Sequence, residues 1–277
     1  MIAALCAQWG LRAAPEVLGD GVNRVWGVGD RVLRWSARWP RAQVEAELDF
    51  VRHLDEQGVS VARPAATPGG AWTVPHAGGV AVAFERAPGV SPTALTPTFL
   101  RAWGAHLAAM HRAAEGWTGA RPHWLEDPWW VRAHALIPAE DEALHARVDA
   151  VLAAVEGAGP LCPCHADHGP QNLHAHDGRI ITFDFDNLHF QPLALDLAVP
   201  WSRLVREPPG AVADFVAGYR AVAPLPDGMV ADMPRWLAVR RVYVLLSRLD
   251  LWPAPTSEQR ALLARYRRLA LGIEEAS

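Results

Sequence analysis

Cys164-His165-Ala166-Asp167-His168-Gly169-Pro170-Gln171-Asn172-Leu173 is followed, after a short strand, by Asp177-Gly178 and then by Arg179-Ile180-Ile181-Thr182-Phe183-Asp184-Phe185-Asp186. Asp-Gly between two apolar runs is a hairpin turn, so Asn172 and Asp184 come from the two ends of the hairpin that lie side by side. Asp184 closes an apolar run, where a carboxylate is costly unless it meets a cation. An Asn and an Asp, with room for water and phosphate oxygens, form the sparse oxygen set that magnesium favours in phosphoryl transfer. Asp167 sits on the loop leading into the hairpin. There a carboxylate can orient an incoming hydroxyl and accept its proton. His165 is expected to support this loop by hydrogen bonding.

Upstream, Arg24 to Val28 and Arg31 to Trp35 are short strands joined at Gly29-Asp30. A helix opening near Pro40 and closing at Gly58 carries Val44, Leu48, Val51 and Leu54 on one stripe. Glu47 lies on that apolar stripe, while Glu45, Asp49, Arg52 and Glu56 share the wet face. Either Glu47 reaches solvent at the edge of the stripe, or it pairs with a cation on a neighbouring strand, for which Arg34 is the candidate. Val80 to Phe84 forms a further strand, broken by Glu85-Arg86-Ala87-Pro88-Gly89. Thr96-Pro97 then opens a helix with Leu100, Trp103, Leu107 and Met110 facing the core. Residues from about 211 onward are again helical, with Val239 to Leu251 the most apolar segment.

The order His-x-Asp-x(4)-Asn followed by a metal-binding Asp resembles the protein-kinase pattern. The run from His165 to Asn172, then Phe183-Asp184-Phe185-Asp186, Asp196-Leu197-Ala198 and Gly218-Tyr219-Arg220, is similar to the aminoglycoside phosphotransferase and choline kinase-like family. Leu18-Gly19-Asp20-Gly21-Val22-Asn23-Arg24-Val25-Trp26 resembles that family's nucleotide loop, and Phe84 to Gly89 its hinge.

The resemblance implies an α+β, two-lobed protein-kinase-like fold. Its small β-rich nucleotide-binding lobe would span about residues 1–86 and its mainly helical catalytic and acceptor lobe residues 87–277, with the hinge near 84–89. It implies ATP and Mg as cofactors, Asp167 as catalytic base and Asn172 and Asp184 as metal ligands. Gly19, Gly21 and Asn23 would lie over the phosphates, and the backbone of Glu85 and Ala87 would meet the adenine edge. Arg34, paired with Glu47, would stand where the family has a lysine. Ala166 replaces the usual glycine, and alanine is expected to hold the backbone to ordinary φ.

Composition bounds the rest. The 277 residues, 51% of them hydrophobic, suffice for a two-lobed enzyme. All 26 basic residues are arginine, which excludes a lysine Schiff base or a P-loop lysine. The net charge of -4 argues against a nucleic-acid partner, and the acidic excess after residue 90 is compatible with a cationic acceptor. No run is apolar enough to span a membrane, so no membrane partner and a cytoplasmic location are expected. Cys162, Cys164, His165 and His168 invite a zinc reading, but a second distant pair is missing. Asp186 is an acid that either supports the site from behind its contacting residues or faces the substrate, or else a solvated loop residue; Asp196 is expected to anchor the active-site loop, and Trp124, Trp129 and Trp130 either pack helices or line a pocket.

The expected reaction is transfer of the γ-phosphoryl group to a hydroxyl of a small molecule. A Ser/Thr protein kinase is the nearest rival, disfavoured because the nine residues between Asp186 and Asp196 contain no Ser, Thr or Tyr. A non-catalytic nucleotide-binding regulator is the other.

Overall fold

The computed structural model describes residues 1–273; the last four positions of the expected C-terminal lobe lie outside the described residues. Helix α1 (Ile2–Gln8) precedes a five-stranded antiparallel sheet of order β1-β2-β3-β5-β4, made of β1 (Glu16–Asp20), β2 (Arg24–Val28), β3 (Arg31–Ser36), β4 (Thr73–His76) and β5 (Gly79–Glu85). Helix α2 (Arg41–Glu56) intervenes between β3 and β4 and buries Val44, Leu48, Val51 and Leu54 as their spacing requires. Glu47 is buried with them, fully enclosed, so solvent at the stripe's edge is not its partner. The glycine-containing segment expected as a loop is partly strand: Gly19 and Asp20 belong to β1, which pairs with β2 across a bulge between Val17 and Gly19. Only the tip near Gly21 and Asn23 turns.

The remainder is mainly helical. Helix α3 (Pro97–Ala114) starts as expected, the Thr96 hydroxyl accepting from Phe99 N at 3.3 Å. Short helices α4 (Pro128–Val131) and α5 (Ala133–Leu136) lead to α6 (Glu142–Val155). Two small antiparallel ladders follow: β6 (Leu161–Cys164) pairs with the distant β9 (His189–Pro192), and β7 (Leu173–His176) forms a hairpin with β8 (Arg179–Thr182). Helices α7 (Leu193–Leu204), α8 (Ala211–Arg220), α9 (Asp227–Ala231), α10 (Met233–Leu251) and α11 (Ser257–Ala270) complete the unit. Among the described residues no helix is long and apolar enough to cross a membrane.

The closest helix pair is α3 against α8, and two glycines set its spacing. A Cβ on Gly104 would lie 2.0 Å from Phe215 O, and one on Gly218 would lie 1.9 Å from Arg101 O. Gly218→Ala therefore forces two backbones apart. It is expected to destabilise the protein by about 2–3 kcal/mol, read as a lower urea midpoint, because overpacking against rigid backbone has no rotamer to relieve it. The same helix pair holds Tyr219, whose hydroxyl meets His111 Nδ1 at 2.8 Å.

Candidate active site

The loop between β6 and β7 is held from three sides. Asp196, at the start of α7, accepts from Ala166 N at 2.7 Å through Oδ1, and its Oδ2 meets His111 Nε2 at 2.9 Å. This buried carboxylate is a loop anchor, as expected. Ala166 itself adopts φ +63°, contrary to the expectation of ordinary φ. The Asp196 hydrogen bond holds it in a left-handed conformation that costs a non-glycine residue about 1–2 kcal/mol. His165 Nδ1 accepts from Asp167 N at 3.2 Å while its Nε2 meets Phe183 O at 3.0 Å, tying the loop to the strand leading to Asp184. His168 is buried, bonded by Trp103 Nε1 at 3.0 Å and to Thr182 at 3.1 Å. Burial holds its pKa well below the ordinary value, and pulls that of the neighbouring His106 down to about 4. Both rings are therefore neutral struts.

Asp167 keeps its carboxylate at the cleft surface. Asn172 Nδ2 donates both to Asp167 O at 2.8 Å and to its Oδ2 at 3.1 Å. Asn172 Oδ1 makes no hydrogen bond among the described residues, which leaves it available to a cation. The β7–β8 hairpin does bring Asn172 beside the end of the second strand, with Phe183 N donating to Asn172 O at 3.1 Å. Asp184 follows, at φ +65°, a conformation that aspartate tolerates better than most residues.

Asn172 and Asp184 line one cavity of about 500 Å3, together with Gly19, Arg34, Phe84 and Ala87. The Asp184 side chain stays 42% open, and Arg34 Nη1 lies 3.3 Å from its Oδ1. Removal of part of the carboxylate from water, together with the nearby Asp186, raises its pKa to about 7, opposed by Arg34. Asp186 shifts the other way: burial would raise it, but Arg38 and Arg34 outweigh that and hold it below the ordinary carboxylate value. Two carboxylates two residues apart are thus set to different tasks. The under-neutralised Asp184 and the free Asn172 oxygen make an all-oxygen donor pair suited to a hard divalent cation.

Arg34 and Glu47 form the expected pair, Nη2 to Oε2 at 2.7 Å, both buried. Burial alone would lower the Arg34 pKa, but the Glu47 carboxylate outweighs it and holds the guanidinium charged. Glu85 and Ala87 edge the same cavity. Because Arg86 N donates to Asp30 O, strand alternation turns Glu85 to the other edge of β5, where its N–H is spent on Arg63 O at 2.7 Å. Its carbonyl and the Ala87 N–H are the backbone groups left for a ligand. Gly21 lies at the tip of the turn. Asn23 is committed elsewhere: its Nδ2 donates to Asp186 Oδ2 at 2.8 Å, pinning the turn to the helical part of the molecule.

The residues absent from the sequence-based expectation cluster around Asp186 and on α10. Arg38 Nη1 reaches Asp186 at 3.2 Å and Asn187 at 3.0 Å, and Arg121 and Trp39 both donate to Asp186 O at 2.8 Å. Asp186 is thus held by protein partners rather than solvated, at the edge of a second cleft. Arg240 Nη2 lies 2.8 Å from Asp167 Oδ1, and Tyr243, one turn on, donates to the buried Asp127 at 2.9 Å. That second cleft, of about 280 Å3, runs between Asn23, Asp167, Asp184, Trp129 and this face of α10. Trp129 therefore both packs, edge-on to Tyr243, and lines the cleft, whereas Trp124 and Trp130 are packing residues. Arg240 sat in plain view on the apolar stripe of Trp236, Val239 and Tyr243, the same anomaly that singled out Glu47. Of the residues that invited the zinc reading disfavoured above, His165 and His168 are consumed as described. Among the described residues the one compact group of potential ligands is His111, Cys164 and Asp196, where His111 and Asp196 are already tied into the loop anchor.

A β-sheet with one crossing helix, a mainly helical partner unit and an Asp–Asn–Asp series over a cavity between them define a phosphotransferase of protein-kinase-like fold. The profile of the phosphotransferase enzyme family matches residues 16–236, and the chain belongs to that family. Among sequence relatives, a homoserine kinase of Gluconacetobacter diazotrophicus is 29% identical over 241 residues, covering 81% of this chain and 75% of the relative. Among solved structures, the amicoumacin kinase hAmiN in complex with AMP-PNP, Ca2+ and Ami superposes with a TM-score of 0.85 at 22% identity, covering 98% of this chain and 92% of that one. A microcompartment-associated aminopropanol kinase gives a TM-score of 0.79 at 22% identity, with coverages of 98% and 94%. The chain is accordingly an enzyme that transfers phosphoryl groups to small molecules, and the likeness in fold extends over nearly its whole length.

Proposed function

We propose that this protein uses ATP and Mg2+ to phosphorylate a hydroxyl of a small molecule, with the nucleotide held between residues 1–86 and 87–277. The observation that carries the reading is that Asp167, Asn172 and Asp184 share two adjoining clefts that meet at Asp184. Adenine would sit against Phe84, bonded to the Glu85 carbonyl and Ala87 N–H. The turn at Gly21, steadied by Asn23 on Asp186, would lie over the phosphates and Arg34 would contact them. Asn172 Oδ1 and Asp184 would hold the metal, which when bound neutralises charge on the phosphate oxygens. Asp167 would orient the acceptor hydroxyl in the smaller cleft and take its proton. The volume of that cleft, about 280 Å3, favours a compact acceptor over a multi-ring one, since drug-sized ligands fill pockets of about 300–1,000 Å3.

The test is ADP formation by the purified protein over a defined panel. It contains L-homoserine and L-serine, their decarboxylated counterparts 3-aminopropan-1-ol and ethanolamine, choline, glucose and a generic protein substrate, each with Mg2+ and with EDTA. ADP formation is expected with at least one small hydroxyl compound and is expected to vanish in EDTA. Turnover with the protein substrate alone would move the reading to a protein kinase. Nucleotide binding without turnover would move it to a regulator.

A further inference from the structure

Both oxygens of Asp167 are engaged before any acceptor arrives. Arg240 Nη2 holds Oδ1 at 2.8 Å and Asn172 Nδ2 holds Oδ2 at 3.1 Å. Each oxygen keeps a lone pair that an incoming hydroxyl can reach, but as a base Asp167 is weakened while a cation holds it, so proton transfer is favoured when one of these contacts loosens. Asn172 is the harder to move, because the same nitrogen also binds the Asp167 carbonyl at 2.8 Å. Arg240 is the easier: it reaches in from α10 on a long side chain that lies over the Tyr243 ring, 5.3 Å from its centroid. A partly buried guanidinium does not leave one carboxylate without gaining another anion, because a charge left unpaired there is heavily penalised.

The same face of α10 continues through Val244, Ser247, Arg248 and Leu251, all lining the cleft. Arg248 lies two helical turns beyond Arg240, about 12 Å along the axis. Its guanidinium stacks over Trp252 at 5.5 Å, and its Nε is buried with no hydrogen-bond partner. The acids of the cleft are spoken for: Asp186 by Asn23 and Arg38, Asp184 by Arg34 on one side and the cavity on the other. The acidic excess that made a cationic acceptor attractive from sequence therefore does not gather on this wall. The donors with capacity to spare are arginines.

We infer that the acceptor carries a carboxylate as well as a hydroxyl, and that Arg240 recognises this carboxylate by exchanging it for that of Asp167. The planar guanidinium already binds a carboxylate here, so the substrate's carboxylate replaces like with like. The exchange frees Oδ1 at the moment the hydroxyl arrives. The hydroxyl proton then passes to Asp167 as its oxygen bonds to the γ-phosphorus, and the bond from that phosphorus to the β-phosphate bridging oxygen breaks to release ADP. Without an acceptor Asp167 stays capped, which restrains transfer to water. Arg240 is thus a specificity and positioning residue, and the inference rests on the phosphotransferase reading above.

The experiment compares each hydroxy amino acid of the panel with its decarboxylated counterpart, using wild type, Arg240→Gln, Arg240→Lys and Arg248→Gln. Wild type is expected to favour the hydroxy amino acid in kcat/KM by about 10-fold or more, the scale of a charge-assisted hydrogen bond. Arg240→Gln is expected to raise KM for the hydroxy amino acid about 10- to 100-fold on the same scale, to leave KM for the amino alcohol no higher than in wild type, and to increase acceptor-free ATP hydrolysis. Arg240→Lys is expected to recover part of the affinity. Arg248→Gln removes a cation about 12 Å further along the same wall and is expected to affect both acceptors alike; should Arg240→Gln melt early, Arg240→Lys carries the test, with a raised KM for the hydroxy amino acid only. Turnover of the amino alcohols in preference, or an equal loss on both acceptors in Arg240→Gln, overturns the inference while leaving the phosphotransferase reading intact. No turnover with any compound overturns both.

Discussion

Replacing Asp167 by asparagine is expected to lower kcat by about 10²–10⁴-fold, the range general-base contributions span, with nucleotide binding close to wild type and a modestly lower melting temperature because Arg240 loses its anion. Asparagine keeps the shape and can still accept from Asn172 Nδ2, so the loop between β6 and β7 has no reason to move. It cannot take a proton from a hydroxyl, and it removes the anion that Arg240 now binds at 2.8 Å. Both the chemical and the electrostatic part of the site therefore change while the scaffold of Asp196, His165 and His168 stays in place. The check is steady-state turnover with the best acceptor of the panel, beside calorimetric binding of ADP. Turnover within a few-fold of wild type would remove Asp167 from the proton path. Loss of ADP binding in parallel would instead mean that the loop had collapsed.

The site was legible in sequence where its chemistry is local. Asp167, Asn172 and Asp184 lie within one loop and one hairpin, so spacing and a turn dipeptide sufficed to bring them together. Glu47 was legible because a charge on an apolar stripe has to be answered, and Arg34 answers it from β3. What escaped was set by distant partners. Strand β4 contains Pro75, which reads against a strand, yet it lies at the sheet's edge, where a missing N–H is tolerated. Strands β6 and β9 have four residues each and exist through pairing with one another. The left-handed turn at Ala166 follows from an acceptor thirty positions away, Asp196 Oδ1, rather than from the residue's own preference. Arg38 and Arg240 reach the site from elements 148 and 73 residues removed from the acids they bind, a relation that periodicity does not encode.

The Arg34–Glu47 pair is where packing and catalysis depend on the same bond, and separating its two partners is expected to give two different failures. In Glu47→Ala the guanidinium stays buried but short of its main counterion, which costs about 3–5 kcal/mol of stability by the usual penalty for breaking a buried pair. The nearest remaining anion is Asp184, already 3.3 Å away, so Arg34 swings onto it. A cation and Arg34 then compete for one carboxylate. The variant is expected to need severalfold more Mg2+ for half-maximal turnover, in addition to melting earlier. In Arg34→Ala the opposite holds at Asp184, which loses the cation opposing its raised pKa; the metal requirement should not rise. What is lost is the contact to the phosphates, so KM for ATP increases while Glu47 is left as an uncompensated buried acid. Arg34→Lys restores a charge but offers a point donor in place of a planar fork, and can serve Glu47 or the phosphates but reaches both less well than the guanidinium does. Titrating Mg2+ and ATP independently for the three variants separates these outcomes. An unchanged Mg2+ requirement in Glu47→Ala would show that Arg34 is held against the sheet by packing on Phe84, 5.4 Å from its ring, rather than by charge.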